Sequence, residues 1–195
     1  MTRIFRLAVM VVGLMSLLGV ASATADAVTW HNTGSTAFTA TSGPTTFSST
    51  SAAWNCTGET ATGDAPAGTT ISAIYSIRGT LTFSGCSLSG ISTGVDCAFA
   101  FTGFTQPAAG QTTGDLDMTC RMSQFGAQIC HFEGGLHGIY AVPSVGVLTL
   151  TTGGNLVVTS PASGSCPLGS NDRVHVSEWT FRTTSANPPV ITRTA

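Results

Sequence analysis

Apolar and polar residues alternate at every second position through much of this chain, and no long window repeats at 3.6 residues. Ile71, Ala73, Tyr75 and Ile77 fall on one face, and Leu81 and Phe83 continue the pattern. Val95, Cys97, Phe99 and Phe101 make a second apolar face; Leu116, Met118 and Cys120 make a third. Leu148 with Leu150, Leu156 with Val158, and Val174 with Val176 mark three later strands, with His175, Trp179 and Phe181 on the opposite face of the last. Threonine, valine and phenylalanine dominate these runs, as in half-buried strands. Val28 to His31 and Ala37 to Ala40 also alternate, and Phe47 and Trp54 are anchors, so the Ser/Thr-rich stretch 26–53 reads as strands too.

Glycine and proline punctuate the runs. Segments 63–68 and 106–110 read as loops, Gly153-Gly154 as a hairpin turn, and 161–171 as a long loop holding Cys166. Alternating strands at this spacing predict an all-β fold, an antiparallel β-sandwich or barrel-like sandwich, in a single domain over 26–185. Residues 186–195, with Pro188-Pro189, read as a frayed or edge-lying tail.

The N-terminus changes the picture. Arg3 and Arg6 precede an uncharged apolar stretch, Leu7 to Ala21, followed by Ala23-Thr24-Ala25. This is the layout of a signal peptide cut after Ala25, too short to span a bilayer as a helix. The expected product is secreted or associated with the cell envelope, with no transmembrane helix. Beyond residue 25, five arginines and no lysine stand against nine acids, a net charge of −4. No basic patch exists for nucleic acid.

Six cysteines follow the leader. In an oxidising compartment an even count reads as disulfides, stapling the fold. Pairing 81–86 against 95–101 as a hairpin sets Cys86 opposite Cys97. A second hairpin through Gly126 sets Cys120 opposite Cys130, leaving Cys56 for Cys166. Other pairings, Cys56 with Cys86 among them, stay open on sequence alone.

Candidate chemistry is thin. Gly90-Ile91-Ser92-Thr93-Gly94 has the form of a nucleophile elbow, but lies between two strands of a hairpin, without the helix that the elbow requires. His131, Glu133 and His137 are the densest set of metal-ligand types, the two histidines converging only if Gly134-Gly135 turns the chain. Asp115 and Asp117 share a strand face, and if Leu116 is core they point to solvent, as solubilising charge or, with Asn171-Asp172, as calcium-ligand types. Trp30, Trp54, Trp179, Tyr75 and Tyr140 fit a small β core better than a sugar platform.

Trp54-Asn55-Cys56, Phe83 to Cys86, Cys130 to Gly134 and Ser165-Cys166-Pro167 ahead of 174–182 resemble segments of secreted, disulfide-containing β-rich proteins of GC-rich Gram-positive bacteria. That resemblance covers most of the chain beyond the leader and implies no activity, catalytic residue or cofactor. The expected function is therefore that of an exported non-catalytic structural or binding protein, partnered by cell-wall polysaccharide or another envelope protein. A secreted hydrolase using His131, Glu133 and His137 or the aspartates, and a pore-forming envelope β protein, are the alternatives.

Overall fold

The computed structural model describes residues 28–72, 74–141, 147–160, 166–177 and 179–194. The expected leader, residues 1–25, lies outside them. The described chain is all β and antiparallel. Its fourteen strands are β1 (Thr29–Asn32), β2 (Ala37–Ser42), β3 (Thr45–Ser48), β4 (Ala53–Cys56), β5 (Gly58–Asp64), β6 (Gly68–Ile71), β7 (Tyr75–Leu88), β8 (Ile91–Ala108), β9 (Gln111–Gln124), β10 (Ala127–Ala141), β11 (Val147–Ser160), β12 (Arg173–Val176), β13 (Trp179–Thr183) and β14 (Ile191–Thr194).

Eleven of these strands join into one closed sheet. β7 pairs β8, β8 pairs β9, β9 pairs β10 and β10 pairs β11. β11 pairs β12 near one end and β13 near the other. Those two pair β3 and β2, which pair β4 and β5, and both β4 and β5 return to β7. Three consecutive pairs thus act as three broken staves: β2 with β3, β4 with β5, and β12 with β13. The result is an up-and-down barrel of eight staves, closed where the last meets the first. The expected all-β antiparallel architecture holds, with closure into a barrel in place of two separate layers. Closure removes the exposed edges that an open sheet would carry.

The staves differ in continuity. On β8 as far as Gly103, and on β9, the inward positions keep one parity: Val95, Cys97, Phe99 and Phe101, then Leu116, Met118, Cys120 and Met122, all buried. On four neighbouring staves the parity flips. Ala40 faces in on β2 but Thr45 and Phe47 on β3; Trp54 and Cys56 on β4 but Glu59 and Ala61 on β5. Phe83 and then Cys86 are buried on β7, and Val176 and then Trp179 across the β12–β13 break. Each flip needs one extra residue, a β-bulge, and each bends its strand. Gly85 serves the β7 bulge at φ 58°, where a Cβ would strike the Thr57 side chain. The bulges are neighbours: Ser42 pairs Glu59, Glu59 pairs Phe83, and Ser177 bonds to Thr46. They form a belt across half of the barrel.

Three sequence expectations fail, the first of them at such a break. Trp179 and Phe181 point inward with Val174 and Val176, not opposite them, because the 177–178 break reverses parity; His175 alone is exposed. Ile71 lies on β6 and is 72% exposed, off the face of Tyr75 and Ile77. Gly153-Gly154 and Gly134-Gly135 are not turns, for β11 and β10 run through them. The side chains of Leu148 and Leu150 lie outside the description.

The interior is filled. Phe47 stacks on Trp54 with ring centroids 5.0 Å apart, and meets Phe83, Phe132 and Trp179 edge-on. Edge-to-face packing suits the quadrupoles of the rings. Beyond this cluster an apolar void of about 30 Å³, lined by Ala40, Ala61, Phe99 and Phe181 among others, has room for little more than one water. The outward positions are polar: Arg78, Thr80 and Thr82 on β7, Asp96 on β8, Asp117, Thr119 and Arg121 on β9. That is the reverse of a membrane barrel, which puts its apolar band outside.

A second sheet, β14–β1–β6, caps one end. Buried Asn32 holds it together, donating to Ser35 O and Pro66 O and accepting from Gly34 N and Val190 N. The Tyr75 and Tyr140 hydroxyls donate to Pro66 O and Pro189 O, both at 2.8 Å. Burial raises both phenols, Tyr75 to about 12 and Tyr140 further. Of the two forms expected for the C-terminal segment, residues 186–194 take the edge-lying one: Pro188, Pro189 and Ile191 are buried, and β14 is an edge strand of the cap. The Gln106 amide blunts that edge, donating to Ile191 O and accepting from Arg193 N.

The disulfides are Cys56–Cys86, Cys97–Cys120 and Cys130–Cys166. All three correct the expected Cys86–Cys97, Cys120–Cys130 and Cys56–Cys166. The reason is register. Ser89 and Gly90, with φ of 51° and 81°, close β7 to β8 in a two-residue turn where the sequence suggests a long loop. That turn places Cys86 opposite Thr93 and leaves Cys97 opposite Leu81 on one side and Cys120 on the other. Cys130 pairs Met122 in the ladder, so its sulfur turns to Cys166, beyond β11.

Candidate functional site

The sequence candidates gather on the outer wall of β9 and β10, and most are kept apart there. His131, Glu133 and His137 all sit on the outward face of β10, none of them buried. The strand runs straight between them, so six residues separate His131 from His137 by about 20 Å. Zinc ligands must lie within ~2.3 Å of one ion. The three cannot share a metal, and no group of three or more metal-ligand side chains is found among the described residues. His131 bonds instead to the Thr159 hydroxyl at 3.1 Å through Nδ1.

Asp115 and Asp117 face outward while Leu116, Met118 and Cys120 are buried, as the alternation predicts. Register then does what sequence spacing could not. Asp115 lies directly opposite His137, and the imidazole Nδ1 contacts Asp115 Oδ1. The pair borders a shallow, solvent-open groove of about 350 Å³, walled by Phe104, Thr113 and Ile139 and floored by Gly114 and Gly138. Phe104 and Ile139 are 38% and 37% exposed, a half-wet ring and a branched chain flanking a polar pair. Across strands β8, β9 and β10, Gly103, Gly114 and Gly138 fall in one register row. A Cβ on Gly114 would lie 2.1 Å from Thr102 O, so only glycine permits this close approach.

Among the described residues, neither hydrolase candidate of the sequence completes the His–Asp pair. A His–Asp pair orients a base but needs a nucleophile within hydrogen-bond reach. Ser92 is ten positions along β8 from Thr102, the partner of Asp115, which is about 33 Å. Thr113 and Thr105 hydroxyls bond to each other. The second acid, Asp117, lies opposite Gly135 and Ala100. The other sequence candidates fall elsewhere. Trp30, Trp54, Trp179 and Tyr75 are at most 1% exposed, and Tyr140 is buried, so none forms a sugar platform. Asp172 is half-buried, and its carboxyl is held below the usual range by the Ser51 hydroxyl and then by Gly169 N.

Phe104 is the residue that sequence reading missed. Its signal is slight: a large ring beside Gly103 that breaks the inward set of β8, where a register shift separates Gly103 from Thr105.

Fold and site together define a disulfide-stapled up-and-down β-barrel with a filled interior and an external groove. No protein-family model, curated protein or solved structure matches the chain.

Proposed function

We propose that the protein is an exported, non-catalytic binding or structural module of the cell envelope or extracellular space, acting by contact through its outer wall. The observation that carries this reading is where the polar groups lie. The barrel interior is packed with aromatic rings, while Asp115, His137 and the half-exposed Phe104 meet in an open groove outside. An aromatic face beside hydrogen-bonding groups suits a polyhydroxylated chain, whose C–H faces pack on rings and whose hydroxyls pair with imidazole and carboxylate. Cell-wall polysaccharide is thus the preferred partner, with another envelope protein second. The three disulfides fit an oxidising setting, and the leader before Asp26 supplies the route out.

The test is retention of the processed protein on insoluble peptidoglycan, chitin and arabinogalactan. Retention on one of them, reduced roughly five- to tenfold in Phe104→Ala with stability intact, is the expected result. No retention on any, or retention indifferent to Phe104 and His137, overturns the polysaccharide reading.

A further inference from the structure

Glu59 is an anomaly in this molecule. It is 3% exposed, it faces the barrel interior from β5, and neither carboxyl oxygen has a hydrogen-bond partner in the structure. The Thr45 hydroxyl, also buried, has none either. An ionised carboxylate in such a place is costly unless paired, and a buried orphan calls for an explanation. Around it, β2 offers Ser42 and β3 Thr45; β7 offers Phe83, directly opposite; β13 offers Trp179, whose ring centroid is 5.6 Å from that of Phe83. The charged groups of those elements, Arg78 on β7 and Arg182 on β13, are exposed on the outer face, as is His175 on β12. Among the described residues no cation faces Glu59.

Its position matters as much as its isolation. Glu59 lies beside the belt of bulges, one residue inside the start of β5, where the ladders of four staves are interrupted. We propose that Glu59 is a proton-controlled latch at this belt. As a neutral acid it seats among the rings and keeps β2, β5 and β7 laddered; on losing its proton to solvent it draws water inward and loosens that half of the barrel.

Burial raises the carboxyl above its ordinary range, and the Thr45 and Ser42 hydroxyls, near it but short of hydrogen-bond geometry, offset only part of this. The sign follows from linkage. A folded state that holds the proton more tightly than the unfolded chain has the full contribution below the unfolded value, and loses it as pH rises through the folded one. The latch is closed below the ordinary glutamate range and strained as pH rises through the raised one.

Two measurements test this. Thermal unfolding of the processed, oxidised protein and of Glu59→Gln is followed from pH 4 to pH 8. The glutamine variant is expected to melt a few degrees higher at pH 8, with the difference closing toward pH 4. At one pH, amide exchange at positions 41–42 and 59–60 is expected to be slower in the variant, with β8 and β9 unchanged. A pH-independent difference, or a variant less stable at pH 8, overturns the proposal. Should the variant not fold, the wild type still decides. The chain has three glutamates, Glu59, Glu133 and Glu178, so carboxyl-labelled glutamate gives three carbon resonances. One titrating well above the others supports the latch; three titrating together in the ordinary range refute it.

Discussion

The two halves of the barrel solve the same problem differently. The wall of β8, β9 and β10 is built of long strands: β8 and β9 pair from Gly94–Ser123 to Gly103–Gly114 without a shift, and the inward residues keep one parity over that span. The wall made by β2 with β3, β4 with β5 and β12 with β13 is broken at one level, where β4 and β7 share only the Trp54–Leu88 and Asn55–Ser87 pairs. The continuous wall draws its order from a long ladder. The broken wall relies on what lies inside and across it: the rings of Phe47, Trp54 and Trp179, and the Cys56–Cys86 bridge. Bulges bend strands enough to close a small barrel. The bent half thus gives closure, and the groove of the other half lies at the end of its long ladder, where β8 shifts against β9 after Gly103.

The largest expected effect falls on the broken wall. Trp179→Ala should destabilise by about 3–5 kcal/mol in chemical denaturation, since it empties the space between Phe47, Phe83 and Phe181. A loss below about 1 kcal/mol would mean that the belt is not held by its rings.

Disulfide removal comes next and separates the halves. Chain entropy alone assigns about 3.5 kcal/mol to each of the Cys56–Cys86 and Cys97–Cys120 bridges, whose sequence separations are 30 and 23. The paired Cys→Ala variants should nevertheless differ, with Cys56–Cys86 the costlier, because β8 and β9 keep their ladder without a bridge. Equal losses in denaturant titrations would erase the distinction.

The cap offers a smaller effect. Asn32→Ala leaves Pro66 O, Ser35 O and two amides without their partner, at about 1–3 kcal/mol. Exchange should quicken in β1, β6 and β14 while the barrel amides stay protected. Smallest of all, Phe104→Ala on the continuous wall should change stability by less than about 0.5 kcal/mol, so that any loss of polysaccharide retention reads contact and not folding.

The same contrast governs what the sequence could reveal. Alternation read the continuous wall correctly, since Val95 to Phe101 and Leu116 to Cys120 are core and Asp115 and Asp117 are outside. It misread Trp179 and Phe181 against His175 because a single inserted residue reverses every later face, and nothing in the residues around 177 announces the insertion. The disulfide pairing failed for a related reason. Ser89-Gly90 forms a two-residue turn, but its neighbours Ser87, Ser92 and Gly94 are equally turn-like, so loop length and register were open. The groove was half legible. Asp115 and His137 are noticeable as residues, yet their pairing is a matter of cross-strand register between segments 22 positions apart. Clustering by proximity in the chain selected His131 and Glu133 instead, which a straight strand holds away from His137.

The register of the barrel is the claim beneath the groove, the belt and the latch alike, and peptide mapping of the unreduced protein by mass spectrometry tests it most directly. Fragments linked as Cys56–Cys86, Cys97–Cys120 and Cys130–Cys166 are the predicted result. A Cys86–Cys97 link would put β7 and β8 in another register and contradict the account.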